Sequence, residues 1–259
     1  MFLDDPRISN VVFYPRKHTE PKNLDPAYAQ VLKFQINDQV MIGGFYFNNN
    51  PNLPTILLFH GNGEVAFEYQ YFKKAFFECG VNLAVVDYRG YGFSTGQPVF
   101  SNLFTDAFPV YEQFKDWMKE QSLNDSLFIL GRSLGSTCAA EIGSRNPPEL
   151  RGVIFESGIG SATQIMTDLF GVKIPKETLD EVKQWSNDTK AAKIQKPVLV
   201  IHGTSDWIVP SKHGKILYDA LSEKIEKQLV LIENAGHNNI FQFQDQYFTP
   251  LKEFIEKFK

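Results

Sequence analysis

An α/β fold around a mostly parallel sheet of about eight strands is what this sequence predicts, and three observations carry the prediction. Continuous apolar runs bounded by turn residues recur at residues 55–59, 82–86, 126–130, 152–155, 197–201 and 228–232. They are rich in Val, Ile, Leu and Phe and do not alternate, which is the pattern of strands buried on both faces. Stretches with apolar residues at helical spacing separate them, so strand alternates with helix and the strands run parallel under a cover of helices. The third observation is size. A chain of 259 residues, 43% hydrophobic and 22% charged, is near ordinary globular usage and long enough to bury one full core.

The elements follow in order. Residues 31–36 and 41–47, joined by Asn37-Asp38-Gln39, read as an antiparallel hairpin at the leading edge of the sheet. Residues 65–79 place Phe72, Ala75, Phe76 and Cys79 on one helical face, and residues 103–119 do the same with Phe104, Ala107, Val110, Phe114 and Trp117. The C-terminal residues 246–258 repeat the pattern with Leu251, Phe254, Ile255 and Phe258. Between residues 159 and 195 the chain offers helical pieces and no strand. That is too long for a crossover loop and reads as a cap inserted over one end of the sheet of a single domain spanning residues 1–259.

Composition narrows the function. With 26 Lys and Arg against 30 Asp and Glu, the net charge of −4 offers no basic footprint, so nucleic acid is not an expected partner. Cys79 and Cys138 are too few for a disulfide framework. No apolar run reaches the roughly 18 residues that cross a bilayer, and Asp4 and Asp5 stand where a signal peptide carries basic residues. The expectation is a soluble cytoplasmic protein. His18, His60, His202 and His213 show no metal-binding spacing, so no metal is expected.

The chemistry is concentrated at three strand ends. The run 126–130 leads straight into Gly131-Arg132-Ser133-Leu134-Gly135, followed by helical residues 136–144. This is G-x-S-x-G between strand and helix, where the glycines allow a sharp turn that lifts the Ser hydroxyl above the sheet. A Gly-rich turn with an N-capping Ser is the bland alternative. A hydroxyl needs a base, and the base needs an orienting group. Both follow in chain order: Asp206, in the turn after strand 197–201, and His237, after strand 228–232. All three sit beyond the carboxyl ends of parallel strands, where open α/β sheets assemble their sites. Glu156, just after another strand, is the rival acid. An oxyanion hole would take the backbone N–H of Leu134 and that of Asn62, in the Gly-rich loop His60-Gly61-Asn62-Gly63-Glu64.

Together with Asp87-Tyr88-Arg89-Gly90-Tyr91-Gly92, His202-Gly203 leading to Asp206, and Gly236-His237, these segments resemble the α/β-hydrolase fold superfamily. Within it they are similar to the serine-aminopeptidase-type branch of compact serine hydrolases, which has depalmitoylase-like and monoacylglycerol-lipase-like members. The resemblance runs from about residue 31 to the C-terminus, and Val11-Val12-Phe13-Tyr14-Pro15 is similar to the aromatic-Pro segment that precedes the first strand there. It implies hydrolysis of esters, thioesters or amides with no cofactor. The Cys-rich N-terminal segment that attaches depalmitoylase-like relatives to membranes is not in this sequence, so a membrane-resident substrate is not expected.

Two features point elsewhere. Gly61-Asn62-Gly63-Glu64-Val65-Ala66 follows a strand and fits G-x-G-x-x-G/A, with Asp87 at the end of the next strand, as in a dinucleotide site. The preceding hairpin and the unexplained order of Ser133, Asp206 and His237 weigh against that reading, and Asp87 is expected to tie down the turn 89–92. Aromatics are the second feature. Phe67 and Trp207 are candidates for a pocket wall, and Ile165, Met166, Leu169, Phe170 and Val172 of the insertion either close over an acyl chain or form the insertion's own core. The expected activity is cleavage of a small-molecule carboxylic ester or thioester with an apolar acyl group, through an acyl-Ser133 intermediate. The alternatives are a peptidase or amidase with the same triad and a non-catalytic ligand-binding protein of this fold.

Overall fold

The computed structural model describes residues 1–22, 24–25, 27 and 29–259. Its strands are β1 (Gln30–Asn37), β2 (Val40–Phe47), β3 (Thr55–Phe59), β4 (Asn82–Val86), β5 (Leu127–Arg132), β6 (Leu150–Glu156), β7 (Val198–Gly203) and β8 (Lys227–Ile232). They form one sheet in the order β1-β2-β4-β3-β5-β6-β7-β8. The hairpin β1–β2 pairs antiparallel to β4, and all pairs from β4 through β8 are parallel. The hairpin turn closes on Asn37, whose Oδ1 accepts the N–H groups of Gln39 and Val40, each at 3.0 Å.

Helices α1 (Pro6–Val12), α2 (Lys73–Glu78), α3 (Asn102–Thr105), α4 (Ala107–Glu120) and α5 (Ser136–Ser144) precede the insertion. The insertion holds α6 (Ala162–Asp168), α7 (Leu179–Gln184) and α8 (Asn187–Ala191), and α9 (Lys212–Ala220) and α10 (Gln244–Phe258) follow it. Alternate residues of the central strands enter two separate cores, which is why their sequences are apolar throughout. Leu57, Phe59, Ile129 and Val153 pack with Val110 and Phe114 of α4, Ile142 of α5 and Met166 of α6. Ile56, Leu58, Leu130 and Ile154 pack on the other side with Phe76 of α2 and Leu251 and Phe254 of α10.

Three expected elements differ in detail. Residues 65–79 form a 3₁₀ turn (Ala66–Tyr71) and then the short α2, and the helix expected at 103–119 breaks at Asp106 into α3 and α4. Asp106 is held there by Arg89, which donates to both carboxylate oxygens at 2.7 Å. Strand β8 is an edge strand with one open side, so Leu231 is half exposed where burial on both faces was expected. As expected, the segment between β6 and β7 contributes helices and no strand.

The switch in strand order falls between β3 and β5, since β4 returns to the outer side of β3. The two flanking crossovers leave a crevice at the carboxyl ends of these strands, and the side chains with chemical potential lie there. Cys79 and Cys138 are free and buried. Among the described residues, no helix is long and apolar enough to cross a membrane, and no cluster of His, Cys, Asp and Glu has metal-binding geometry.

Candidate active site

Ser133 sits at the junction of β5 and α5 with φ of 51°, in the left-handed region that a side chain rarely adopts. The turn is possible because of its two glycines. A Cβ on Gly131 would stand 2.5 Å from the carbonyl oxygen of Gly135, and one on Gly135 would collide with the carbonyl of Phe59 at the end of β3. The backbone therefore folds back tightly on itself and projects Ser133 into the crevice.

The hydroxyl of Ser133 lies 3.0 Å from Nε2 of His237, and Nδ1 of His237 lies 2.7 Å from Oδ2 of Asp206. All three side chains are buried. Asp206 is fixed by its own turn: Oδ1 accepts the N–H groups of Ile208 at 3.0 Å and Val209 at 2.8 Å. His202 supports that turn, with Nε2 2.7 Å from the carbonyl of Val209 and 3.5 Å from Oδ2 of Asp206. Burial works against the charge of Asp206, but the imidazoles of His202 and His237 and the backbone N–H of Val209 outweigh it and hold the carboxyl well below its ordinary range. An ionised Asp206 keeps the proton of His237 on Nδ1 and leaves Nε2 free to accept from the Ser133 hydroxyl.

Glu156, the rival acid, faces elsewhere. Its Oε1 is 2.5 Å from Nη1 of Arg132, in a fully buried position. Burial pushes its carboxyl upward, with Arg132 acting against the shift.

Asn62 and Leu134 line the same cavity as Ser133 and His237. Among the described residues, neither of their backbone N–H groups finds an acceptor within the chain. The Asn62 side chain is pinned away from the cavity's chemistry. Its Oδ1 accepts the N–H of Tyr14 at 3.0 Å and the hydroxyl of Tyr91 at 2.6 Å, and its Nδ2 donates to the carbonyl of Val12 at 2.5 Å.

The cavity holds about 340 Å³ and is walled by Tyr14, Ile159, Leu169, Phe170, Ile208 and Val209. Leu169 and Phe170 were expected there. Met166 was too, but it lines a second, smaller cavity under the cap that shares Leu134, Ile159 and Phe170 with the first. Phe67 and Trp207 are corrections. The ring of Phe67 packs on His18 at 4.4 Å and Phe45 at 5.2 Å, in the core on the α2 and α10 side. Trp207 is 90% exposed, because the turn around the Asp206 carboxylate sends residue 207 outward and brings Ile208 and Val209 to the cavity. Ile208 and Val209 had no sequence signal beyond that Asx turn, and Tyr14 was visible only as part of its aromatic-Pro segment.

The dinucleotide-like loop carries its own anion. Oε2 of Glu64 accepts the N–H of Gly61 at 2.9 Å, so a carboxylate fills the loop where a pyrophosphate would have to approach. Asp87 is spent inside the protein, taking the N–H of Ala66 at 2.9 Å and lying 3.2 Å from Nε2 of His60.

A mostly parallel eight-stranded sheet with this constellation at its carboxyl edge defines a hydrolase of the α/β class. Residues 50–186 match the family model described as serine aminopeptidase, S33, and residues 171–244 match that of the alpha/beta hydrolase fold. The chain belongs to the α/β-hydrolase superfamily, in its S33 branch. It is 27% identical over 234 residues to alpha/beta hydrolase domain-containing protein 17C of Xenopus laevis, covering 88% of this chain and 70% of that protein. With alpha/beta hydrolase domain-containing protein 17B of Homo sapiens the identity is 28% over 210 residues, covering 80% of this chain and 68% of that protein. Among solved structures, the esterase Pf2001 of Pyrococcus furiosus superposes with a TM-score of 0.73 at 18% identity, covering 94% of this chain and 98% of that one.

Proposed function

We propose that this hydrolase cleaves a carboxylic ester or thioester with an apolar acyl group through an acyl-Ser133 intermediate. The observation that carries the reading is the continuous relay from the Ser133 hydroxyl through His237 to Asp206, at 3.0 and 2.7 Å. In the first half-reaction His237 Nε2 takes the Ser133 proton as Oγ attacks the acyl carbon. The N–H groups of Asn62 and Leu134 receive the negative oxygen of the tetrahedral intermediate. The proton then passes from His237 to the departing alkoxide or thiolate. In the second half-reaction His237 deprotonates water, which attacks the acyl-enzyme, and Ser133 recovers its proton as the acid leaves.

The cavity wall supports a neutral, apolar substrate. Apart from His237 and the Tyr14 phenol, no ionisable side chain lines it among the described residues. An aminopeptidase must hold a free ammonium group beside the scissile bond, and this wall offers no carboxylate to pair with it. The cavity itself, about 340 Å³ and walled by Ile159, Leu169, Phe170, Ile208 and Val209, gives an acyl chain room beneath the cap. A hydrolysis screen from acetyl to palmitoyl, with ester, thioester and anilide leaving groups, tests the reading. The expected result is turnover of esters and thioesters well above anilides, with an optimum beyond acetyl. Preference for anilides bearing a free amine would assign a peptidase instead.

A further inference from the structure

Arg132, the first of the two unspecified residues of the G-x-S-x-G turn, is almost wholly buried, an expensive place for a cation. Each of its guanidinium nitrogens is committed to a different part of the chain. Nε donates to Oε1 of Glu64 at 2.7 Å, Nη1 to Oε1 of Glu156 at 2.5 Å, and Nη2 to the backbone carbonyl of His237 at 3.0 Å. Glu64 extends the link, since its Oε2 accepts the N–H of Gly61 at 2.9 Å and the hydroxyl of Tyr69 at 2.8 Å. The residue after Arg132 is Ser133. One planar group thus touches the nucleophile turn, the loop that carries Asn62, the end of β6 and the histidine loop.

We propose that Arg132 is a positioning residue that sets the distance between the Ser133 turn, the His237 loop and the Asn62 loop. This rests on the reading of Ser133 as nucleophile. Apolar residues in place of the whole Arg132, Glu64 and Glu156 set could fill the same volume with little loss of stability, so stability alone does not call for a buried ionic cluster here. A planar fork fixes three directions at once, which a flexible point charge such as Lys does not. The pair with Glu64 is charged at neutral pH: although burial opposes it, Arg132 and the neighbouring donors bring the Glu64 carboxyl down to about 2. Arg132 also lines a cleft of about 660 Å³ between the 3₁₀ turn, α2 and the start of α10, so the guanidinium site is reachable from solvent.

The test compares Arg132→Lys, Arg132→Gly, Glu64→Ala and Ser133→Ala on a soluble acyl ester, using the folded fraction measured by circular dichroism. A misplacement of about 1 Å costs about 10²-fold, so Arg132→Lys should lower kcat by about that factor with KM nearly unchanged. Arg132→Gly should lose more and regain activity with millimolar guanidinium but not with ammonium. Glu64→Ala should lower kcat about tenfold, and it carries the test should both Arg132 variants fail to fold. A purely structural Arg132 would shift melting and leave kcat of the folded fraction intact, as well as removing the guanidinium rescue. That result, with Ser133→Ala inactive, overturns the positioning role alone. An active Ser133→Ala overturns the nucleophile reading and the positioning role with it.

Discussion

The two walls around Ser133 are built on different physics. The sheet side, behind the cavity surface, is polar and charged: Arg132, Glu156, His202, Asp206 and His237 are all buried, and each has a directed partner within the protein. The cap-side wall is apolar, made by Ile159, Leu169 and Phe170. Polar bonds fix the root of the cap to α5 and to itself. There Ser136 Oγ accepts from Ile159 N–H at 3.0 Å and Asn187 Nδ2 at 3.1 Å, and Ala162 N–H donates to Ser186 Oγ at 2.8 Å. Directional bonds hold a proton relay to fractions of an ångström, whereas non-directional apolar contact tolerates change of shape. Under the proposed function, the comparison separates two properties: reaction type would reside on the sheet side and acyl choice on the cap side.

The largest effect that would break this division comes from the acid of the relay. Asp206→Asn should reduce turnover by about 10⁴-fold in steady-state assays, because an amide no longer holds the proton of His237 on Nδ1. Glu156→Gln should fall far short of that loss, since Glu156 faces Arg132 rather than His237. Equal losses in the two variants would erase the distinction between them.

Acid sensitivity should also follow the sheet-side wall. Glu64 drops from 4.5 to about 2 on folding, so its stabilisation is present above about 4.5 and is lost as pH falls toward 2. His213 is buried against Lys212 and His202 and drops from 6.5 to about 4, chiefly through burial. A depressed histidine acts with the same sign: its contribution is full above about 6.5 and declines as pH falls to about 4. Urea unfolding between pH 7 and 2 should therefore show two successive losses, with Glu64→Gln flattening the lower one. A stability that stays level across that range would contradict the burial of these charges.

On the cap side, Phe170 lines both cavities, so Phe170→Ala should join them. The expected result is a shift of about tenfold in kcat/KM toward octanoyl over acetyl esters, with acetyl turnover changed little. The smallest effect belongs to Trp207, which stands in solvent. Trp207→Ala should alter stability by less than about 0.5 kcal/mol and leave turnover of small soluble esters unchanged.

The meeting of Ser133, His237 and Asp206 and the sheet itself were legible in the sequence because their signals are local. Apolar runs ending in Gly-rich turns place Ser133, Asp206 and His237 at strand ends without knowledge of any distant contact. The cavity wall was less legible for the opposite reason. Helical periodicity cannot show that residues 66–71 tighten into a 3₁₀ turn and carry Phe67 toward His18. The Asx turn at Asp206 decides between Trp207 and Ile208, and one residue of phase is beyond what composition resolves. Arg132 occupies an unspecified position of G-x-S-x-G and carries no local signal of its role, since its partner Glu64 lies 68 residues away and its partner His237 lies 105 residues away.

The most direct measurement is covalent. The protein is treated with a fluorophosphonate, digested, and the adduct located by mass spectrometry. The relay of Ser133, His237 and Asp206 predicts one modified peptide, carrying the group on Ser133, and no adduct in Ser133→Ala or His237→Gln. Labelling that persists in Ser133→Ala, or an adduct on any other residue, would contradict it.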